Sequence, residues 1–131
     1  MLKLTSILLS SGQAKVLTDF YNKVFEKPVD EMMGWTVGDV SIMVLEHSEI
    51  DGKSKEGPRI MFNMETTDVP QEFERIKAIP GAEVIKEPYQ MTMEGETIEK
   101  GKETADGFWI ATLADPDGNY FQLMSPWNPS N

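Results

Sequence analysis

The chain has no cysteine and one histidine, His47, and its 12 lysines and arginines are outnumbered by 22 aspartates and glutamates. Without cysteine there is no disulfide framework, no thiol nucleophile and no thiolate metal site. One histidine cannot supply a two-imidazole metal centre, and sequence places His47 beside no nucleophile. The formal net charge of -10 argues against nucleic acid, because neutralising phosphates needs lysine and arginine gathered on one face. It suits a cationic ligand instead. No apolar run approaches the roughly eighteen residues of a membrane span, and Met1 to Ser6 leads into a strand pattern rather than a signal peptide. No membrane partner is expected, and the expected location is cytoplasmic. G-x-S-x-G, Walker and dinucleotide motifs are also missing.

What is present is a pattern that occurs twice. Leu4 to Ser10 suits a buried strand, and after Ser10-Ser11-Gly12 the apolar residues Val16, Leu17, Phe20, Tyr21, Val24 and Phe25 recur at helical spacing. Met32 to Val37 and Val40 to Leu45 then read as a meander of strands split by Gly38-Asp39. His47 to Pro58 is a polar linker, with His47 exposed in it. Arg59 to Met64 reads as a second opening strand. Asp68 and Gln71 form a capping box for a helix carrying Val69, Phe73, Ile76 and Ile79, which Pro80-Gly81 stops. Glu83 to Ile85 starts another strand, Met91 to Asp106 is a charged strap or hairpin, and Trp109 to Leu113 pairs with Tyr120 to Met124. Asp115-Pro116-Asp117-Gly118 between the last two strands is turn chemistry: an Asx start, a proline with preset φ and a glycine free to take positive φ. It is not a calcium loop, since the glycine is misplaced and no glutamate follows at the required distance.

A strand-helix-strands unit leaves one sheet face bare, and a second copy covers it. In 131 residues the expectation is one α+β domain of two βαβββ modules forming a curved mixed sheet around a cavity. Module one covers about 1–50, the linker about 51–58 and module two about 59–127. The Phe20-Tyr21 pair in the first helix, the Asp115-Pro116-Asp117-Gly118-Asn119 turn and the duplication together resemble the vicinal oxygen chelate superfamily: glyoxalase I, extradiol dioxygenases, fosfomycin-resistance enzymes and bleomycin-resistance proteins.

In its metalloenzymes, the resemblance implies, each module's first strand carries a histidine and its last strand a second ligand, often glutamate. Here Ser6 and Arg59 fall at the histidine positions and Gln122 at the final glutamate, with the remaining position between Met43 and Glu46. A hydroxyl, a guanidinium and a primary amide are poor ligands for a divalent first-row metal, so no metal and no cofactor are expected.

Strand alternation sends Ser6, Leu8 and Ser10 to one face, Arg59, Met61 and Asn63 to another, and Tyr120, Gln122 and Met124 to a third. The expected ligand-binding set is Ser6, Met43, Glu46, Arg59, Met61, Trp109, Tyr120 and Gln122. Arg59 calls for an anionic partner such as Glu46 or a ligand carboxylate. Trp35, Trp109 and Tyr120 could stack on a planar ligand. The leading reading is a metal-independent homodimer binding a small organic molecule in the sheet cavity, with Trp127 helping the dimer contact. Its rivals are a glyoxalase-like lyase or isomerase acting on a small anion, with Glu46 or His47 moving the proton, and a non-catalytic dimeric interaction module with a vestigial cavity.

Overall fold

The structure is a computed structural model that describes residues 1–126, so Trp127 lies outside the described residues. The first module runs β1 (Ser6–Ser11), α1 (Ala14–Val24), β2 (Gly34–Val37) and β3 (Val40–Glu46). The second runs β4 (Phe62–Glu65), α2 (Val69–Lys77), β5 (Glu83–Met91), β6 (Phe108–Ala114) and β7 (Tyr120–Met124). The sheets are ordered β1-β3-β2 and β4-β7-β6-β5. In each, the first strand lies parallel to the last and the other pairs are antiparallel. No helix among the described residues is long and apolar enough to cross a membrane.

The duplication is real, but the first module is one strand short. In the second sheet β5 flanks β6, whereas β2 has no outer neighbour among the described residues. The segment after α1 stands in for it. The Asp30 side chain accepts from the backbone N–H of Gly34 at 3.1 Å, and the Asp30 N–H donates to the Gly34 carbonyl at 2.9 Å. Lys27 Nζ donates to the Thr36 carbonyl at 2.5 Å. These contacts occupy the edge groups that a strand would otherwise take.

Both helices form where the sequence places them, for different reasons. Asp68 Oδ1 accepts from Gln71 N at 3.1 Å, which caps α2. At α1 the side chain of the N-cap residue, Gln13, makes no capping bond. Its N-terminus is served from outside instead: Ser11 Oγ accepts from Gln13 N at 2.9 Å and Glu46 Oε1 from Ala14 N at 3.0 Å. The apolar stripes Leu17, Phe20, Tyr21, Val24 and Val69, Phe73, Ile76 bury against one face of each sheet and share a single core with Trp35, Val44, Leu113 and Phe121.

The modules are joined through that core and by polar ties. Phe20 and Tyr21 meet Phe121 ring to ring at 6.2 and 6.3 Å. Arg75 of α2 donates to the carbonyls of Lys23 and Val24 at 2.8 Å each, closing the C-terminal end of α1 across the module boundary. In the last turn, Asp115 accepts from Asp117 N, Asn119 N and Asn119 Nδ2 at 2.9 to 3.0 Å, and Gly118 takes φ of 81° as the turn requires.

Candidate functional site

The face of each sheet away from the helices is the candidate binding surface. Strand register decides which residues stand on it. In the first sheet Ser6 pairs with Ser41, Leu8 with Met43 and Ser10 with Leu45, and these share the face opposite the core residues Ile42 and Val44. Leu8 is 52% and Leu45 39% exposed, so this half is an open apolar surface.

The second sheet presents a different surface. Lys86 pairs with Thr112, Thr112 with Gln122, and Gln122 with Asn63, a polar row crossing all four strands. The adjoining row is Tyr89, Ile110, Met124 and Glu65. Thr112 and Ile110 are buried and form the floor, whereas Gln122 and Met124 are half-buried. Gln122 Nε2 lies 3.4 Å from Thr112 Oγ1. Lys86 Nζ sits 5.2 Å from the centre of the Tyr89 ring. Two residues an odd number of positions apart share a face because β5, which also shifts register between Val84 and Lys86, does so again between Lys86 and Tyr89, and it is this second irregularity that puts them together. Pro88, which cannot donate to a ladder, sits in the second irregularity.

The sequence-predicted residues are only partly brought together. Gln122 and Tyr120 stand on the second sheet's open face, and Ser6 and Met43 on the first. Tyr120 is partly covered by the linker: a Cβ on Gly57 would lie 2.5 Å from its ring carbons. Met61, just before β4, is 37% exposed. It lines a cleft of about 510 Å³ with Ile7, Val40 and Ile42 at the boundary between the modules.

Three residues stand elsewhere. Glu46 shares the parity of Ile42 and Val44 on β3, which turns it to the helix side, where it holds the α1 N-terminus. Arg59 is not on a strand. Gly57-Pro58-Arg59 form one 3-10 turn, with proline in its first turn, and the strand begins only at Phe62. Arg59 therefore points outward, its side chain 72% exposed and paired with Glu56. Trp109 alternates with Ile110 onto the helix side and packs against the core. His47 Nδ1 accepts from Glu49 N at 3.1 Å in the linker.

Equivalent positions in the two modules extend the expected ligand pattern to its fourth member. Ser10 lies as far beyond Ser6 as Asn63 lies beyond Arg59, and their partners are Leu45 and Gln122. The resembling set is thus Ser6, Leu45, Arg59 and Gln122, which offers a divalent metal neither imidazole nor carboxylate. Among the described residues no three His, Asp or Glu side chains gather into a group able to hold a metal ion. The residues do not fit the metal.

A buried pair lies behind these faces. Tyr21 Oη donates to Asp115 Oδ2 at 2.6 Å, with both residues almost wholly enclosed. Burial, then the Asp115 charge and hydrogen bond, raise the Tyr21 pKa well above the usual phenol value. Burial also raises Asp115, against hydrogen bonds from Tyr21, Asn119 and the backbone that pull it down.

No protein-family model matches the sequence, and no curated protein matches it. Solved structures do match. A glyoxalase/bleomycin resistance protein/dioxygenase family enzyme from Burkholderia phytofirmans superposes with a TM-score of 0.67 at 21% identity, covering 95% of this chain and 98% of that one. A glyoxalase-related enzyme from Fulvimarina pelagi gives 0.67 at 14% identity, covering 96% and 89%. A glyoxalase I variant from Zea mays gives 0.62 at 17% identity over 96% of this chain and 45% of the maize chain. The chain has the glyoxalase/bleomycin-resistance fold.

Proposed function

We propose that this protein binds a small organic molecule, without a metal, on the open faces of its two sheets. The observation that carries the proposal is the residue set at the expected metal-ligand positions: Ser6, Leu45 and Gln122 on the open faces, with Arg59 turned outward onto Glu56 at the fourth. The open faces offer hydrogen-bonding and apolar groups there instead of ligands for a cation. The floor of Thr112 and Ile110, half-buried Gln122 and Met124, and exposed Leu8 and Leu45 suits a partly apolar guest. Bleomycin-resistance proteins, with which it shares the fold, are the functional analogue. A homodimer in the cytoplasm completes the proposal.

The lyase alternative has less support. Arg59, which would orient the anion, is tied to Glu56 at the surface, and of the two alternative proton-transfer groups Glu46 caps α1 and His47 sits in the linker.

Methyl-labelled methionine provides the test. Naphthalene-2-methanol, 2-naphthoate and 2-naphthylmethylamine are titrated in turn, with the methionine methyl signals recorded by NMR. Shifts at Met43 or Met124, without shifts at Met32 and Met93, are expected for at least one probe. Shifts confined to other methionines, or absent throughout, would overturn the proposal.

A further inference from the structure

The ammonium of Lys86 is the only charge on the polar row of the second sheet, and its row partners, Thr112, Gln122 and Asn63, are all neutral hydrogen-bonding groups. Its described contact is the Tyr89 ring, and none of the ion pairs among the described residues uses it. Neighbouring strands lie about 4.8 Å apart, so the row extends roughly 14 Å, the length of a small two-ring molecule. A lysine with its ammonium against an aromatic ring at one end of such a row is a compact point charge with N–H donors to spare for a ligand.

We infer that this row selects a monocarboxylate with an apolar or aromatic body, its carboxylate on Lys86 and its body over Ile110, Tyr89 and Met124. The inference rests on the binding function proposed above and names the ligand class. Two features favour a single negative charge. The row carries one cation, so a phosphate-type dianion would be half compensated. Glu65 on the adjoining row and the net charge of -10 oppose a second negative charge. The amides and the hydroxyl serve polar atoms along the body, with Gln122 placed to donate through Nε2 and to accept through Oε1. The class runs against the charge of the whole chain, which by itself favours a cationic guest. What decides between them is distance, because a charge in direct contact with the ligand acts on it at full strength, whereas charges more than about 8 Å away across the surface are largely screened by salt.

The bulges in β5 are what put Lys86 there. Counting back from Tyr89 by strict alternation sends Lys86 to the helix side; the extra residue in the register brings it to the open face.

The test is calorimetric titration of 2-naphthoate, 2-naphthyl phosphate, naphthalene-2-methanol and 2-naphthylmethylamine into the wild-type chain, Lys86→Gln and Lys86→Arg. Lys86 is exposed, so the variants should fold, which circular dichroism checks. The expected result is naphthoate binding about tenfold tighter than the alcohol, equivalent to roughly 1.4 kcal/mol. It should also bind tighter than the phosphate. Lys86→Gln should remove that preference, bringing naphthoate down to the level of the alcohol, and Lys86→Arg should retain it. Alcohol and naphthoate binding alike, tightest binding by the amine or the phosphate, or a naphthoate preference that survives in Lys86→Gln would overturn the carboxylate assignment while the binding function stands. If none of the four binds, the binding function falls and the carboxylate assignment with it.

Discussion

Tyr21 in the middle of α1 donates a 2.6 Å hydrogen bond to Asp115 at the head of the β6–β7 turn, so the two most recognisable motifs of the sequence are one contact in space. The helix supplies the hydroxyl, and the turn supplies a carboxylate already committed to two backbone N–H groups and an amide. Each side loses a buried partner without the other.

Tyr21→Phe keeps the ring and its stacking on Phe25 at 5.4 Å, so it reports the hydroxyl alone. The expected loss is about 2 kcal/mol, as for a hydrogen bond to a buried charged group. Asp115→Asn places an NH₂ among donors and should cost at least as much. Urea denaturation with an unchanged m-value measures both; a loss under about 0.5 kcal/mol for Asp115→Asn would show that the turn holds without the carboxylate.

The same pair sets an alkaline limit. Tyr21 has a raised folded pKa, so its contribution is fully present below the unfolded phenol value of about 10 and is lost as pH rises through the folded value. Absorbance titration of the native protein should show one tyrosine ionising late, together with unfolding. In Tyr21→Phe that late step should vanish. Asp115, also raised, acts in the same sense at acid pH: its contribution is present below the ordinary carboxylate range and is lost as pH climbs through its folded value.

Lys27 and Asp30 should keep the chain from associating through β2. Replacing both with alanine frees the carbonyl of Thr36 and the N–H of Gly34 on the sheet edge. The double variant is expected to show concentration-dependent association by light scattering and a higher β signal, and a profile identical to the wild type's would contradict the guarding role.

Much of the fold was legible in the sequence. The Asp-Pro-Asp-Gly turn fixes its hairpin by local chemistry, and the helices declare themselves by periodicity and, for α2, by Asp68. The missing outer strand of the first module was not legible, because Asp30 and Lys27 replace it with individual hydrogen bonds that have no periodic signature. The site was harder to read for a related reason: alternation fails wherever a strand is irregular or begins late. Pro58 turns Arg59 out of the strand, the register of β3 turns Glu46 to the helix side, and the bulges of β5 bring Lys86 onto the open face. Pro88 inside a strand was the one available signal for the last of these.

Gln90 holds the strap that crosses the sheet edge. It is fully buried, accepts from Thr104 N at 2.9 Å and donates to Thr104 O at 2.7 Å. Gln90→Leu should leave both backbone groups unpaired, costing about 1 to 3 kcal/mol. Hydrogen exchange should speed up first in the segment around Thr104. Uniform acceleration across the chain would mean that the strap and the core open together.

The most direct test of a metal-free site is thermal denaturation of chelator-treated protein with nickel, zinc, manganese or iron(II) added in excess. With Ser6, Leu45, Arg59 and Gln122 at the ligand positions, no metal should move the transition. A rise produced by one metal alone, of the size of the roughly 2.7 kcal/mol that a ligand at a hundred times its Kd contributes, would place a metal centre in this fold and contradict binding by organic contacts alone.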